Sequence, residues 1–246
     1  MNRIGIEFMK NTRYRYLDPS DQQKGLPQPP LQLPPDPARA STALPDPAEL
    51  SVEPVVLRRL IEGRRSVREY PDQPISQTEL SYLLWCTQGV KEVIPGHVTL
   101  RTVPSAGARH AFETFLLINR VEGLPAGLYR YLAVQHELET VSTSGDEADL
   151  VTAACLGQRF VAASAVTFVW SAVVYRMAWR YTQRGYRYVH LDAGHVCQNL
   201  YLAAESIGCG VCAIAAFDDD AMGAALGLDG VEQLPLYVAA LGRKKA

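Results

Sequence analysis

Three guanidinium groups and a hydroxyl fall within five residues in Arg64-Arg65-Ser66-Val67-Arg68, directly after an apolar helical stretch. Guanidinium is planar and permanently charged, its donors match phosphate oxygens, and a neighbouring serine adds a neutral donor. The cluster has the chemistry of a phosphate grip, although a solvated basic helix end that complements the helix dipole would show the same residues. Other chemistry-bearing groups point less far. Cys209-Gly210-Val211-Cys212 has redox spacing, but it leads into a strand and lacks a second pair to complete a zinc site. Gly208-Cys209-Gly210-Val211-Cys212-Ala213 satisfies G-x-G-x-x-A, yet a helix precedes it and a strand comes after, the reverse of a dinucleotide fingerprint, so a Rossmann site is rejected. His190 and His195 do not share a helix face, and nothing completes a ligand set around His195 and Asn199, so no metal is expected. Asp218-Asp219-Asp220 reads as a helix N-terminus.

The elements that must position these groups are bounded by composition. With 246 residues, 48% of them hydrophobic and 20% charged, the chain can bury a sizeable core. A net charge of −2, with both signs mixed along the sequence, argues against nucleic acid as a partner. No apolar run approaches the roughly 18 residues of a membrane span, and no signal-peptide pattern opens the chain, so a cytoplasmic location is expected. The five cysteines suit reduced thiols rather than a disulfide framework.

Residues 1–50 differ from the rest of the chain. Pro27, Pro29, Pro30, Pro34, Pro35, Pro37, Pro45 and Pro47 oppose helix and central strand, which predicts an extended arm with apolar anchors such as Ile4, Phe8 and Tyr14, lying along the body or across a partner subunit. The body, 51–246, opens with a helical pattern over 55–61. Ser76-Gln77-Thr78-Glu79 is a capping box for a second helix. Residues 114–118 read as a buried strand, and 128–132 with 137–141 as a hairpin. A helix is expected over 147–163, a strand over 165–174, and a long helix over 189–207 that stops at Gly208. A strand at 211–214, a helix capped by Asp218 and a strand at 236–241 close the chain. This interleaving, without a strict βαβ rhythm, favours an α+β layered fold.

The chain resembles the nitroreductase superfamily, and within it the SagB-type (ThcOx-like) dehydrogenases. The resemblance is carried by Arg64 to Tyr70, Pro104-Ser105-Ala106-Gly107-Ala108-Arg109-His110, Gly123 to Tyr131, Arg187 to Leu200, Ala213 to Asp220 and Pro235 to Gly242, in the family's order. It implies a three-layer α/β/α sandwich with a mixed, largely antiparallel sheet, and a homodimer holding FMN at the subunit interface. Arg64, Arg65, Ser66 and Arg68 would then grip the FMN phosphate and ribityl chain, with Arg243 as a weaker addition. The loop Pro104, Ser105, Ala106 and Gly107 would approach the flavin from the other subunit, its small residues allowing close backbone approach. Ala213, Ile214 and Ala215 would lie beside flavin N5, and Gln198 would bond on the flavin side or structurally.

In azoline-oxidising members a Lys-Tyr pair is linked to catalysis, and Arg180-Tyr181 stands at the matching place. Arginine stays protonated where lysine can become a base, which weakens direct transfer of that mechanism and leaves Tyr181 as candidate proton donor or acceptor. The resemblance thus implies an FMN-dependent oxidoreductase passing a hydride through flavin N5 between a donor and an acceptor, with no substrate assigned. Narrower alternatives are an azoline dehydrogenase working with a cyclodehydratase partner in ribosomal-peptide maturation, and an NAD(P)H-dependent nitro or quinone reductase. A non-catalytic flavin- or peptide-binding module is the alternative outside enzymes.

Overall fold

Strand β4 (Phe112–Ile118) is buried over its whole length and carries the centre of the structure. The computed structural model describes residues 3–245. Alternate β4 residues serve two cores, as the two-residue period of a strand requires: Phe112, Leu116 and Ile118 enter one cluster, while Phe115 and Leu117 enter the other. Neighbours β5 (Gly127–Leu132) and β7 (Val166–Val173) pair with it antiparallel on either side. The sheet continues outward through β6 (Glu137–Ser142) to β1 (Ser41–Ala43), and through β9 (Gln233–Arg243) to β8 (Cys209–Ile214).

Helices α3 (Gln77–Gln88), α5 (Val174–Tyr181) and α6 (Gly185–Ser206) supply the first core, and α4 (Glu147–Ala154) and α7 (Asp219–Leu226) the second. The result is the expected α+β sandwich with helices on both faces. Every strand pair of the seven-stranded sheet is antiparallel. Parallel pairing at the β8 edge is confined to a bridge between Ser66 and Val211, with Val67 N–H donating to Val211 O at 2.9 Å. No helix among the described residues is long and apolar enough to cross a membrane.

The capping box is present in full: Ser76 accepts from Glu79 N at 3.1 Å, and Glu79 accepts from Ser76 N at 2.8 Å. Asp218 caps α7 through Ala221 N at 2.8 Å. The expected helix over 147–163 is a correction: α4 ends at Ala154, because Leu156 and Gly157 take φ of +56° and +72°, which an α-helix does not admit. The 165–174 strand ends one residue early, at Val173, and the chain turns directly into α5. A separate hairpin, β2 (Val90–Ile94) with β3 (Val98–Arg101), was not expected from the sequence.

Residues 1–50 are less uniformly extended than their composition suggests. Helix α1 (Ile4–Asn11) precedes the prolines, and β1 joins the sheet as an edge strand beside β6. Between them the arm follows the body's surface. Its carbonyls accept from body side chains: Leu26 O from Trp179 Nε1 at 3.0 Å, Pro30 O from Arg176 Nε at 2.7 Å and Pro34 O from Arg130 Nη2 at 2.8 Å. Its amides at Leu33 and Asp36 donate to Glu113 and Glu139 at 2.8 and 2.6 Å. These carboxylates are buried and paired, Glu113 with Arg176 at 2.5 Å and Glu139 with Arg130 at 3.1 Å.

Removing one partner of a buried pair leaves the other charge uncompensated, at a cost of about 3–5 kcal/mol. Glu113→Gln is expected to lose stability of that order in guanidinium unfolding, whereas Glu62→Gln, in the exposed Arg58–Glu62 pair, is expected to change little.

Candidate functional site

The residues after α2 (Leu57–Gly63) lie along the free side of β8. They come close because residue 210 is glycine: a Cβ there would stand 2.5 Å from Val67. Arg65, Ser66 and Arg68 then line a cavity of about 310 Å³ together with Lys244 and Lys245, which come after the end of β9. Lys244 is tied to Glu205 at 2.6 Å and Lys245 to Glu69 at 2.7 Å. Arg64, Arg65 and Arg68 have no carboxylate partner among the described residues. With Glu69 also in the lining and both lysines paired, the two free guanidiniums of Arg65 and Arg68 and the Ser66 hydroxyl are what suit the cradle to a phosphate.

Tyr201 of α6 joins this cradle to the end of β8. Its buried hydroxyl lies 3.1 Å from Ser66 Oγ and accepts from Ala213 N at 3.0 Å, and the Arg64 guanidinium sits 5.3 Å from its ring centre. Ile214 points into the opposite core, and Ala215 is exposed past the strand end. Arg243 lies elsewhere: it pairs with Glu79 at 2.7 Å and donates to Ile207 O at 3.2 Å, bracing the start of α3. The lysines after it take the place in the cradle that the sequence suggested for Arg243.

A second cluster gathers around the loop before β4. Ser105 accepts from His110 N at 2.9 Å, and Ala106 N donates to Asp192 of α6 at 3.3 Å. Gly107 adopts φ +58°, and a Cβ on it would collide with the Tyr181 hydroxyl and stand 3.1 Å from Arg180 Nε. The loop thus meets Arg180 and Tyr181 within one protomer. Tyr181 packs edge-on against Tyr188, with ring centres 4.9 Å apart. Arg109 donates to Gly107 O at 3.0 Å and to His97 O at 2.8 Å, beside the Trp179 ring.

This cluster is strained and electrostatically unusual. Ala108, His110 and Thr182 all adopt positive φ, a conformation that costs side-chain-bearing residues energy and gathers at functional sites. Burial, then the neighbouring Arg101 and Arg109, hold His110 down to about 3, so the imidazole stays neutral at ordinary pH. Burial pushes the Asp192 carboxyl above its usual range against the lowering effect of its bonds to Ser105 and Ala106, and its second oxygen has no partner among the described residues.

The two clusters share α6. Asp192 and Tyr201 are nine residues apart, about 14 Å along a helix. Between them Gln198 is exposed, on a surface shared with Leu191, Gly194 and His195. Of the polar residues that invited a metal reading, His190 Nδ1 meets Tyr186 O one turn back at 2.7 Å, and Asn199 donates to Cys86 O of α3 at 2.9 Å.

Tyr201, Lys244, Lys245, Arg109 and Asp192 belong to the candidate site by their place in the structure, and the sequence alone did not single them out for it. Tyr201 sits in an apolar helical stripe, where its ring reads as core. The signal for the lysines was Arg243-Lys244-Lys245 at the end of a strand bound to pair with the segment after Gly208.

Comparison with known proteins places this antiparallel α+β sandwich in a family of redox proteins. Residues 61–243 match the Nitroreductase family. MJ1384 of Methanocaldococcus jannaschii, which carries the nitroreductase name, is 35% identical over 201 residues, 82% of this chain and 95% of that protein. The chain belongs to the nitroreductase family and is, by that membership, an oxidoreductase. A crystal structure under the nitroreductase name from Ralstonia eutropha superposes with a TM-score of 0.69 at 27% identity, covering 90% of this chain and all of that one. The Microcin B17-processing protein McbC of Escherichia coli is 28% identical over 152 residues, 60% of this chain and 56% of McbC, so the match spans little more than half of that relative. The fold is also that of a Desulfovibrio desulfuricans nitroreductase structure in complex with FMN, with a TM-score of 0.55 at 16% identity over 79% of this chain and 89% of that one.

Gly107→Ala is expected to displace Tyr181 and Arg180, since the methyl group meets the tyrosine hydroxyl and the backbone disfavours a side chain. The readout is near-ultraviolet circular dichroism of the Tyr181–Tyr188 pair together with a loss of about 1–3 kcal/mol in denaturant unfolding.

Proposed function

We propose that the protein is an FMN-dependent oxidoreductase acting as a homodimer, with the cradle at the β8 edge as its phosphate site. The observation that carries this reading is the convergence of Arg65, Ser66, Arg68, Lys244 and Lys245 on one cavity, coupled through Tyr201 to Ala213. The donor set fits the group: the cations are those a phosphate monoester needs, and Ser66 offers a neutral hydroxyl beside them. Arg65 and Arg68 would hold the phosphate, Ser66 would orient it, and the Ala213 end of β8 would border the ring. When bound, FMN supplies a carrier able to take and give two electrons as a hydride at N5. Gly107 leaves space for close approach of the loop, and Tyr181 offers a phenol that can hold or move a proton. The dimer reading rests on the resemblance to the family, and in it the loop of one protomer would face the cradle of the other across the exposed α6 surface that includes Gln198.

Similarity to McbC favours a second, narrower reading: an azoline dehydrogenase of peptide maturation, with a cyclodehydratase as partner. Arg180 would take the lysine's place there, contributing fixed charge rather than a base, and leaving proton transfer to Tyr181. An azoline-bearing peptide losing two hydrogens in mass only when the protein is present would support it.

The test of the main reading is the visible absorption spectrum of the purified protein, with identification of any released cofactor. Flavin bands that release FMN are expected. The Arg65→Ala, Arg68→Ala double variant is expected to lose roughly 100-fold or more in FMN affinity, at about tenfold or more per charge-assisted contact. A protein that neither carries FMN nor binds it in excess would leave the non-catalytic reading in its place.

A further inference from the structure

The N-terminal arm builds a cleft with the end of α5. The cavity, about 630 Å³, is lined by Tyr14, Asp18 and Gln22 from the arm and by Arg180, Tyr181 and Thr182 from the body, among others. Arg180 and Tyr181, which wall this cavity, are also the side chains that border Gly107. The arm is held in place there by direct bonds, Gln22 N to Trp179 O at 2.9 Å and Arg184 Nη1 to Thr12 O at 3.0 Å.

Charge in and around this cleft is out of balance. Arg180 is exposed, and the Arg184 guanidinium lies 5.6 Å from the ring centre of Tyr14 and 5.3 Å from that of Tyr188. Arg109 is buried nearby, and Arg180 helps to push its guanidinium below the usual range after burial itself, so the two cations feel each other. None of the three forms an ion pair with a carboxylate among the described residues. Asp18 is the acid of the lining, and it pairs with none of them. Thr182 Oγ1 is buried without a partner, on a backbone held at φ +49°. Arg109 and Arg184 already donate to carbonyl oxygens and lie outside the lining, which leaves the Arg180 guanidinium, the Tyr181 phenol and the Thr182 hydroxyl as donors at the cavity itself.

We propose that this cleft is the oxyanion pocket of the substrate site, taking a small ligand whose carboxylate or phosphate meets Arg180, with the N-terminal arm as its outer wall. The assignment of this ligand as substrate rests on the reading that Gly107 and Tyr181 flank the redox centre. Arg180 has a positive role under it: it recognises charge on the substrate, as a permanently protonated fork does better than lysine.

The test is calorimetric titration of the full-length protein, supplied with excess FMN and repeated in the Arg65→Ala, Arg68→Ala background, where the cradle no longer competes for anions. The probes are benzoate, phenyl phosphate and the neutral benzamide. At least one oxyanion is expected to bind more tightly than benzamide, and the tighter of the two identifies the group. Arg180→Gln is expected to weaken it about tenfold or more, and Asp18→Asn, which removes a like charge, to tighten it a few-fold. The gain in Asp18→Asn cannot come from misfolding. The proposal is overturned if neither oxyanion outbinds benzamide, or if Arg180→Gln keeps the parent's thermal unfolding and the parent's preference for the oxyanion. Flavin spectra of the same samples keep the two readings apart, since absence of FMN defeats the cofactor assignment while leaving the oxyanion binding measured.

Discussion

Holding a proline-rich backbone against a protein surface is the constraint on which much of this structure depends. Proline has no amide hydrogen, so such a segment cannot join a ladder, yet its carbonyls still need donors when they leave water. Here the donors are buried side chains of the body. Arg176 and Arg130 reach out to Pro30 and Pro34, and Glu113 and Glu139 take the amides that remain. The same residues neutralise one another as ion pairs beneath the arm. Charge that would be costly to bury alone is thus stabilised from both sides. The arm in turn is carried to Trp179 and the end of α5, where arm and body residues border one cleft.

Helix α6 performs the complementary task of linking the two halves of the candidate site. Asp192 fixes the loop through Ala106, and Tyr201, further along the same rod, fixes the cradle through Ser66 and Ala213. Regular helix geometry therefore sets the separation of the two clusters. Each cluster also depends on a glycine where backbone comes too near another group for a side chain: Gly107 beneath Tyr181, and Gly210 beside Val67.

Much of this was legible in the sequence. The capping box at Ser76, the Asp218 cap and the stripe of α6 are local signals, and local physics decided them. The basic cluster was visible as three arginines in five residues, and what separates it from an ordinary solvated helix end is its place beside β8, which only the fold supplies. Less legible were features decided by context. The β2–β3 hairpin had its turn in view at Pro95-Gly96, but its buried positions are Thr99 and Arg101 while Val93 and Leu100 are exposed, so no apolar alternation marks a core face. Helix α4 stops where two residues take positive φ, and only Gly157 of the two announces that in its residue type. Arg243 lies away from the cradle because Glu79 is within reach of it once β9 is paired, a contact that the sequence does not display. Tyr201 stayed hidden because a phenol in an apolar stripe looks the same with or without a partner for its oxygen.

The Tyr201 hydroxyl has two partners. A backbone amide can only donate, so the Tyr201 oxygen accepts from Ala213 N–H, while between Tyr201 and Ser66 either hydroxyl can donate. The three groups form a chain running from strand end to cavity, and hydrogen-bonded chains strengthen cooperatively. An anion that accepts from Ser66 would favour the arrangement in which Tyr201 donates to Ser66 Oγ and accepts from Ala213, so the cradle and the tip of β8 share one chain of hydrogen bonds.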